Sequence, residues 1–366
     1  MTISTIIAVL EAFAPPAYQE SYDNSGLIVG NASNECSGVL CTLDSTEEVV
    51  AEAISKGCNL IVAHHPIVFS GMKRITGKNY VERTVIAAIK NDIAIYAIHT
   101  NADNVIKGVN DVIANAIGLK NKRVLVPTSK LLAKLITFIP LSHLEQVRTA
   151  LFENGAGHIG NYSEASYSVE GTGTYKANEG ANPFLGQMGI RHEEPERKLE
   201  IIFPLHIQSK LVKALKEAHP YEEVAYDIIV LENENQEVGS GLIGELETPI
   251  DELLFLRKIK EVFQLEIIRH TPLLGKKISK VAVCGGAGSF LTRHAINAGA
   301  DLFLTADVKY HEFFDADKKL IIADIGHWES EQFTSDLLID ILHLKFPTFA
   351  VLKSEVITNS VRYFIN

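Results

Sequence analysis

The stretch Asn59-Leu60-Ile61-Val62-Ala63-His64-His65-Pro66 decides the fold: a short apolar run reads as a strand, and it stops on two histidines and a proline. The same form recurs twice. Ile93 to Ile98 runs into His99-Thr100-Asn101-Ala102-Asp103, and Leu320 to Ile325 runs into Gly326-His327-Trp328-Glu329-Ser330-Glu331. Open α/β sheets bind ligands at the carboxyl ends of their strands. His64, His65, Asp103, His327 and Glu331 are therefore candidate metal ligands, and the first and last parts of the chain must meet to assemble them.

Outward from these runs, strands alternate with amphipathic helices. Ser45-Thr46-Glu47-Glu48 predicts a capping box with Ser45 as the N-cap and Glu48 reaching back, followed by Val49, Val50, Ala53 and Ile54 at helical spacing. With Val39 to Leu43 as a further strand, this order predicts an α/β domain with a mostly parallel sheet covered by helices. Residues 1–127 form its first part. Residues 237–366 form its second, with strands at Lys280 to Cys284, Asp301 to Thr305 and Leu320 to Ile325. The domain is split by residues 128–236. There, strands at Leu131 to Ile139, Glu200 to Ile207 and Ala225 to Leu231, with helices at Leu144 to Phe152 and Ser209 to Ala218, predict a ferredoxin-like α+β insertion. Gly171-Thr172-Gly173-Thr174-Tyr175 through Gly186 reads as a mobile connection.

Composition narrows the function. A formal charge of −11 on 366 residues argues against nucleic acid as a partner, although a local basic pocket could still hold a phosphate. No apolar run approaches the roughly 20 residues of a membrane span, and Met1-Thr2-Ile3-Ser4 lacks a signal-peptide pattern, so a cytoplasmic protein without membrane contact is expected. Cys36, Cys41, Cys58 and Cys284 form no C-x-x-C pair and read as reduced, buried residues.

Imidazole and carboxylate donors suit zinc, manganese, iron or nickel. His327 and Glu331, four apart at a helix start, can face the same side. Pro66 stops regular pairing after His65, so the adjacent imidazoles of His64 and His65 can serve two nearby ions. Five ligands exceed one tetrahedral ion and suit a pair of divalent metal ions roughly 3.5–4 Å apart, with Asp103 or Glu331 as the bridge. Read singly, His-His-Pro is an ordinary turn, His327 and Glu331 a helix-surface pair, and Asp103 a cap for a helix over Val105 to Ile117. Asp44, His99, Asn101, Asp307, Lys309 and His311 stand near the same edge, and the four-residue spacing of Asp307 and His311 suggests a ligand-orienting or acid–base role. Gly285-Gly286-Ala287-Gly288-Ser289 reads as a tight strand-to-helix turn in preference to a phosphate cradle.

Ser21-Tyr22-Asp23-Asn24-Ser25-Gly26-Leu27, together with the three strand-end motifs, resembles the NIF-three-like family, whose bacterial members are commonly named GTP cyclohydrolase 1 type 2 homologues. The resemblance covers essentially the whole chain. The middle segment, with His219-Pro220-Tyr221-Glu222-Glu223, resembles the PII-like or CutA-like insert of the longer members. Two departures are small: Tyr22 stands where Trp is frequent, and Thr305-Ala306-Asp307 replaces Thr-Gly-Asp. The resemblance implies a dinuclear metal site built from His64, His65, Asp103, His327 and Glu331, and a ring-shaped homohexamer with its sites facing an internal cavity. The expected function is a metal-dependent hydrolase acting on a small phosphorylated or nucleotide substrate, GTP being the best-named, with His99 or His311 as proton carriers. A metal-dependent regulatory or protein-interaction platform without turnover is the alternative, and a metal carrier a third reading.

Overall fold

Leu60–Ala63 is the central strand of a five-stranded sheet whose order is Gly26–Val29, Ala94–Ala97, Leu60–Ala63, Val39–Thr42, Val351–Lys353. The computed structural model describes residues 1–364. All neighbours in this sheet are parallel except Gly26–Val29, which runs antiparallel to Ala94–Ala97. Every residue of the three inner strands is buried, as continuous apolar runs require when both faces are covered. The register sets Thr42 beside Ala63 and Ala63 beside Ala97, so these strands end level with one another.

The expected mostly parallel sheet is joined by a second one. Six strands lie in the order Arg269–His270, Ile321–Asp324, Leu302–Ala306, Ile278–Ala287, Glu234–Ile250, Lys120–Ser129. The three central to the site are parallel, whereas Arg269–His270 runs antiparallel to Ile321–Asp324 and Glu234–Ile250 antiparallel to Ile278–Ala287. One hydrophobic core unites both sheets: Leu60, Val62 and Tyr96 from the first meet Val281, Leu302 and Ile321 from the second, with Ile6, Leu10, Phe255 and Leu338 from helices. Ile61 and Ala63, alternating with Leu60 and Val62, point into another core with Val49, Val50 and Val85, and Phe303 and Ile322 do likewise in a third. The fold is thus a layered α/β architecture.

Met1–Val126 and the segment from Glu237 onward make one compact unit, and Pro127–Gln236 makes another. The latter holds an antiparallel sheet in the order Ser166–Lys176, Arg191–Pro204, Leu132–Pro140, Tyr226–Val230, with helices Leu144–Glu153 and Gln208–Ala218. The chain order β-α-β-β-α-β with this strand order is ferredoxin-like. Leu135, Leu151, Phe203, Leu211 and Leu215 form its own core.

Three local expectations need correction. Thr46, not Ser45, caps the helix Glu47–Ser55, its hydroxyl accepting from the Val49 N–H at 3.3 Å, because Ser45 is buried one residue too early. The glycine-rich run is not a loose connection at its start: Ser166–Lys176 pairs residue for residue with Arg191–Ile201. The helix expected over Val105 to Ile117 begins only at Val109 and runs to Ala116, since Val105 leaves the helical conformation to bridge Val238, and a separate helical turn, Thr100–Asn104, precedes it. Asp103 consequently lies inside a helical turn and caps nothing. Among the described residues, no helix is long and apolar enough to cross a membrane.

Candidate metal centre

Strand register explains how the ligands converge. Backbone pairing continues past Ala63, with the His64 N–H donating to Thr42 and the His65 N–H to Leu43, before Pro66 ends it. The two imidazoles lie 4.8 Å apart between ring centroids and are tilted by 49°, so they occupy adjacent parts of one site. Asp103 comes from the turn after the neighbouring strand. Across the shared core, the short helix His327–Glu331 follows Ile321–Asp324 and carries its first and last side chains on one face.

Glu331 stands at the middle. Its Oε1 lies 3.9 Å from His64 Nε2, while its Oε2 lies 3.1 Å from His65 Nε2 and 3.3 Å from His327 Nε2. Asp103 Oδ1 is 3.6 Å from His64 Nε2. Two donor triplets result, His64 with Asp103 and Glu331, and His65 with His327 and Glu331, each having its ligand atoms within 4.8 Å of one another. Glu331 belongs to both. A third group joins His64, His65 and His99.

Hydrogen bonds at the far side of each ring fix the tautomers. Nδ1–H of His64 donates to the Ile98 carbonyl at 2.9 Å, and that of His65 to Asp44 at 2.8 Å. His99 donates likewise to Asp23 at 2.8 Å, and His327 to Asp307 at 2.7 Å. With Nδ1 engaged, each ring turns Nε2 and its lone pair inward, the usual arrangement behind a metal-binding histidine. His64 Nε2, Asp103 Oδ1 and Glu331 Oε2 are buried without a hydrogen-bond partner. An orphaned buried polar atom costs about 1–3 kcal/mol, so three at one point fit a place that a cation completes.

Electrostatics agree. Burial raises the Asp103 pKa, the Glu331 charge raises it further, and together they push it up to about 7. Burial works the same way on Glu331, but the neighbouring His327, His64 and His65 rings overcome it and hold that carboxylate well below its ordinary range. For His65, burial disfavours the charged ring, yet the hydrogen bond to Asp44 and the adjacent Glu331 carboxylate prevail and raise the pKa to about 10. His327, similarly paired with Glu331 and Asp307, rises to about 9. Metal-free, each of these two rings therefore holds a second proton more firmly than a free imidazole does.

Because both folded-state values exceed the ordinary 6.5, the stability from these ion pairs is complete below about 6.5 and lost as pH rises through 9 to 10. Thermal melting of metal-free protein should therefore fall across that window. Metal loading at pH 7 should release protons, since imidazole binds metal in its neutral form. An unbuffered titration that shows no proton release would contradict the assignment.

The remaining expectations separate cleanly. His99 lines the cavity of about 760 Å³ that contains the centre, with Asp44, Asp307 and Arg269. Asn101 is structural: its amide donates to the Ala14 carbonyl and its oxygen accepts from the His99 N–H. Lys309 faces solvent and caps the turn Tyr310–Ala316 with Glu312. His311 is a correction, for it does not line the cavity and packs beside Tyr310 and Phe314. The chain after Asp307 turns at a φ of 53° into a 3-10 helix, so the α-helical spacing assumed for Asp307 and His311 does not exist. The glycine run is a tight turn whose amides are engaged: Gly285 donates to Asn110, Gly286 to Ser330 and Gly288 to Thr305. Asp23 was overlooked as a functional residue. It holds His99 and also accepts from the Thr100 N–H and hydroxyl; burial alone would raise its pKa, but these bonds keep it well below the usual carboxylate range. Its signal lay in the Ser21 to Leu27 motif, which follows no apolar run.

Fold and site together define a layered α/β protein with a histidine–carboxylate cluster able to hold metal. The family model described as Duf34/NIF3 (NGG1p interacting factor 3) matches residues 1–360, and the chain belongs to that family. A Halalkalibacterium halodurans protein named GTP cyclohydrolase 1 type 2 homolog is 42% identical over 325 residues, covering 88% of this chain and 87% of that one. A Bacillus subtilis protein of the same name is 39% identical over the same shares. The crystal structure of a Bacillus cereus protein related to NIF3 superposes with a TM-score of 0.87 at 37% identity, covering 100% of this chain and 99% of that one.

Proposed function

We propose that this protein binds two divalent metal ions, drawn from zinc, manganese, iron or nickel, and acts as a metal-dependent hydrolase. The supporting observation is the position of Glu331, with one oxygen facing His64 and the other facing His65 and His327. His64 and Asp103 would hold one ion and His65 and His327 the other, with Glu331 shared. Bound divalent ions supply Lewis-acid activation of water and substrate.

The chain's own groups supply the rest. His99, oriented by Asp23, keeps its proton on Nδ1 and leaves Nε2 to accept or donate one at the cavity. Arg269 is held by Asp324 at 3.0 Å and by the Val308 carbonyl, half exposed on the cavity wall, where it can meet a phosphate. A volume near 760 Å³ is within the usual range for a small-molecule site and admits a nucleotide. GTP is the substrate to test first, because the relatives' name points to it. Attack by water at the carbon between the imidazole-ring nitrogens of guanine would break one ring C–N bond to give a formamide, and hydrolysis of that formamide by a second water would release formate and leave an amine. The assembly proposed is a homohexamer, measurable by mass photometry.

The test is metal analysis of native protein, followed by incubation of metal-loaded enzyme with GTP. Formate release supports the cyclohydrolase reaction, and phosphate release redirects it to phosphoester hydrolysis. If neither appears with any of the four metals and a wider metabolite screen is also silent, the hydrolase reading fails. The regulatory platform then stands, a reading favoured by the separate core of Pro127–Gln236.

A further inference from the structure

The inserted unit contains a second cavity, of about 730 Å³, with a chemical character opposite to that of a phosphate site. Five glutamates and two lysines line it, and one of those lysines, Lys198, is already paired with Glu200 at 2.7 Å. Glu196 is its focal charge. Only 7% of this residue is exposed, and its Oε1 accepts from the Tyr221 hydroxyl at 2.9 Å. Oε2 lies against Gly173, at a position where a Cβ would collide with the carboxylate. Gly173 therefore makes room for a buried anion.

Four aromatic residues, Phe138, Tyr175, Phe184 and Tyr221, line the cavity with that carboxylate, and the last three cluster together. Tyr175 and Tyr221 lie 5.8 Å apart at 65°, and Phe184 lies 6.3 Å from Tyr221 at 50°. Their orientations are fixed from behind. The Tyr175 hydroxyl donates to the Leu185 carbonyl at 2.9 Å. Within His219-Pro220-Tyr221-Glu222-Glu223, His219 donates through Nε2 to the Phe138 carbonyl and accepts the Tyr221 N–H at Nδ1. Glu222 accepts from the Asn182 N–H and ties down the loop that carries Phe184.

From this arrangement we infer that the inserted unit binds a small organic ammonium ion, its charge set between the Glu196 carboxylate and the faces of Tyr175, Tyr221 and Phe184. Ring quadrupoles attract cations within about 6 Å, and the surplus of carboxylates repels anions. No histidine or cysteine lines the cavity among the described residues, so the donor set does not suit a transition metal. The volume also exceeds what a bare ion needs and fits a ligand of several carbons.

Isothermal titration calorimetry of the full chain with choline and with putrescine tests the site, with 3,3-dimethyl-1-butanol as the neutral counterpart of choline. Saturable binding of at least one cation, at least about tenfold tighter than the neutral alcohol, is expected. Glu196→Gln should weaken it about tenfold or more. Phe184→Ala, on a loop and half exposed, should weaken it about threefold or more without disturbing the fold. Choline binding more tightly would assign the aromatic faces as the main anchor, and putrescine binding more tightly would assign Glu196. No saturable binding of either cation up to about 10 mM overturns the inference. So does equal binding by wild type and by both variants when their melting temperatures match.

Discussion

Glu331→Ala is expected to weaken binding at both proposed metal positions at once, whereas His64→Ala and His327→Ala should each weaken one and spare the other. Glu331 is the residue common to the two donor triplets, while His64 and His327 belong to different ones. The binding free energy of structural zinc sites, ~10–16 kcal/mol, divided among four ligands gives roughly 3 kcal/mol each, about a hundredfold in affinity. Loss of the shared carboxylate should thus weaken each position by about that factor at once. Mass spectrometry of protein dialysed against trace metal would check it. Two ions retained by Glu331→Ala would refute the shared-ligand geometry, as would total metal loss from both histidine variants.

Gly286→Ala should damage the same centre with every ligand in place. Gly286 has a φ of 60°, and a Cβ there would come within 2.5 Å of Glu331 Oε1 and 3.2 Å of His327 Nε2. The left-handed backbone costs an alanine roughly 1–2 kcal/mol, and the methyl group must also displace the carboxylate that both triplets use. Metal affinity should fall by about tenfold or more, as a misplaced ligand loses most of its share. Gly299→Ala is the control, because Gly299 has a φ of 75° and nothing within 4 Å of its would-be Cβ. It should cost similar stability and leave metal binding unchanged. Equal metal loss in both variants would mean that backbone strain, rather than contact with Glu331, is responsible.

The clustering of His64, His65, Asp103, His327 and Glu331 was legible in the sequence because strand ends are marked twice, by the stop of an apolar run and by the polar residues that follow. Parallel register then does the rest, bringing the positions after Ala63 and Ala97 abreast. What the sequence left open was which carboxylate is central. Asp103 and Glu331 are equivalent in spacing, and only the approach of the short helix His327–Glu331 across the shared core distinguishes them. His311 was misplaced for a related reason: its four-residue distance from Asp307 has meaning only on an α-helix, and the chain forms a 3-10 turn there. Asp23 escaped notice because it supports His99 through tertiary contact. The strand Ser166–Lys176 was obscured by its glycines, which weaken strand propensity locally but leave room for Glu196.

The distribution of ligands along the chain also sets a timetable. His64, His65 and Asp103 are synthesised early, but they form no complete triplet with Glu331 until the last tenth of the chain has left the ribosome and crossed to them. Long-range closure of this kind comes late in folding. A half-made chain consequently offers only the donor group of His64, His65 and His99, and the two triplets that share Glu331 belong to the finished first unit alone.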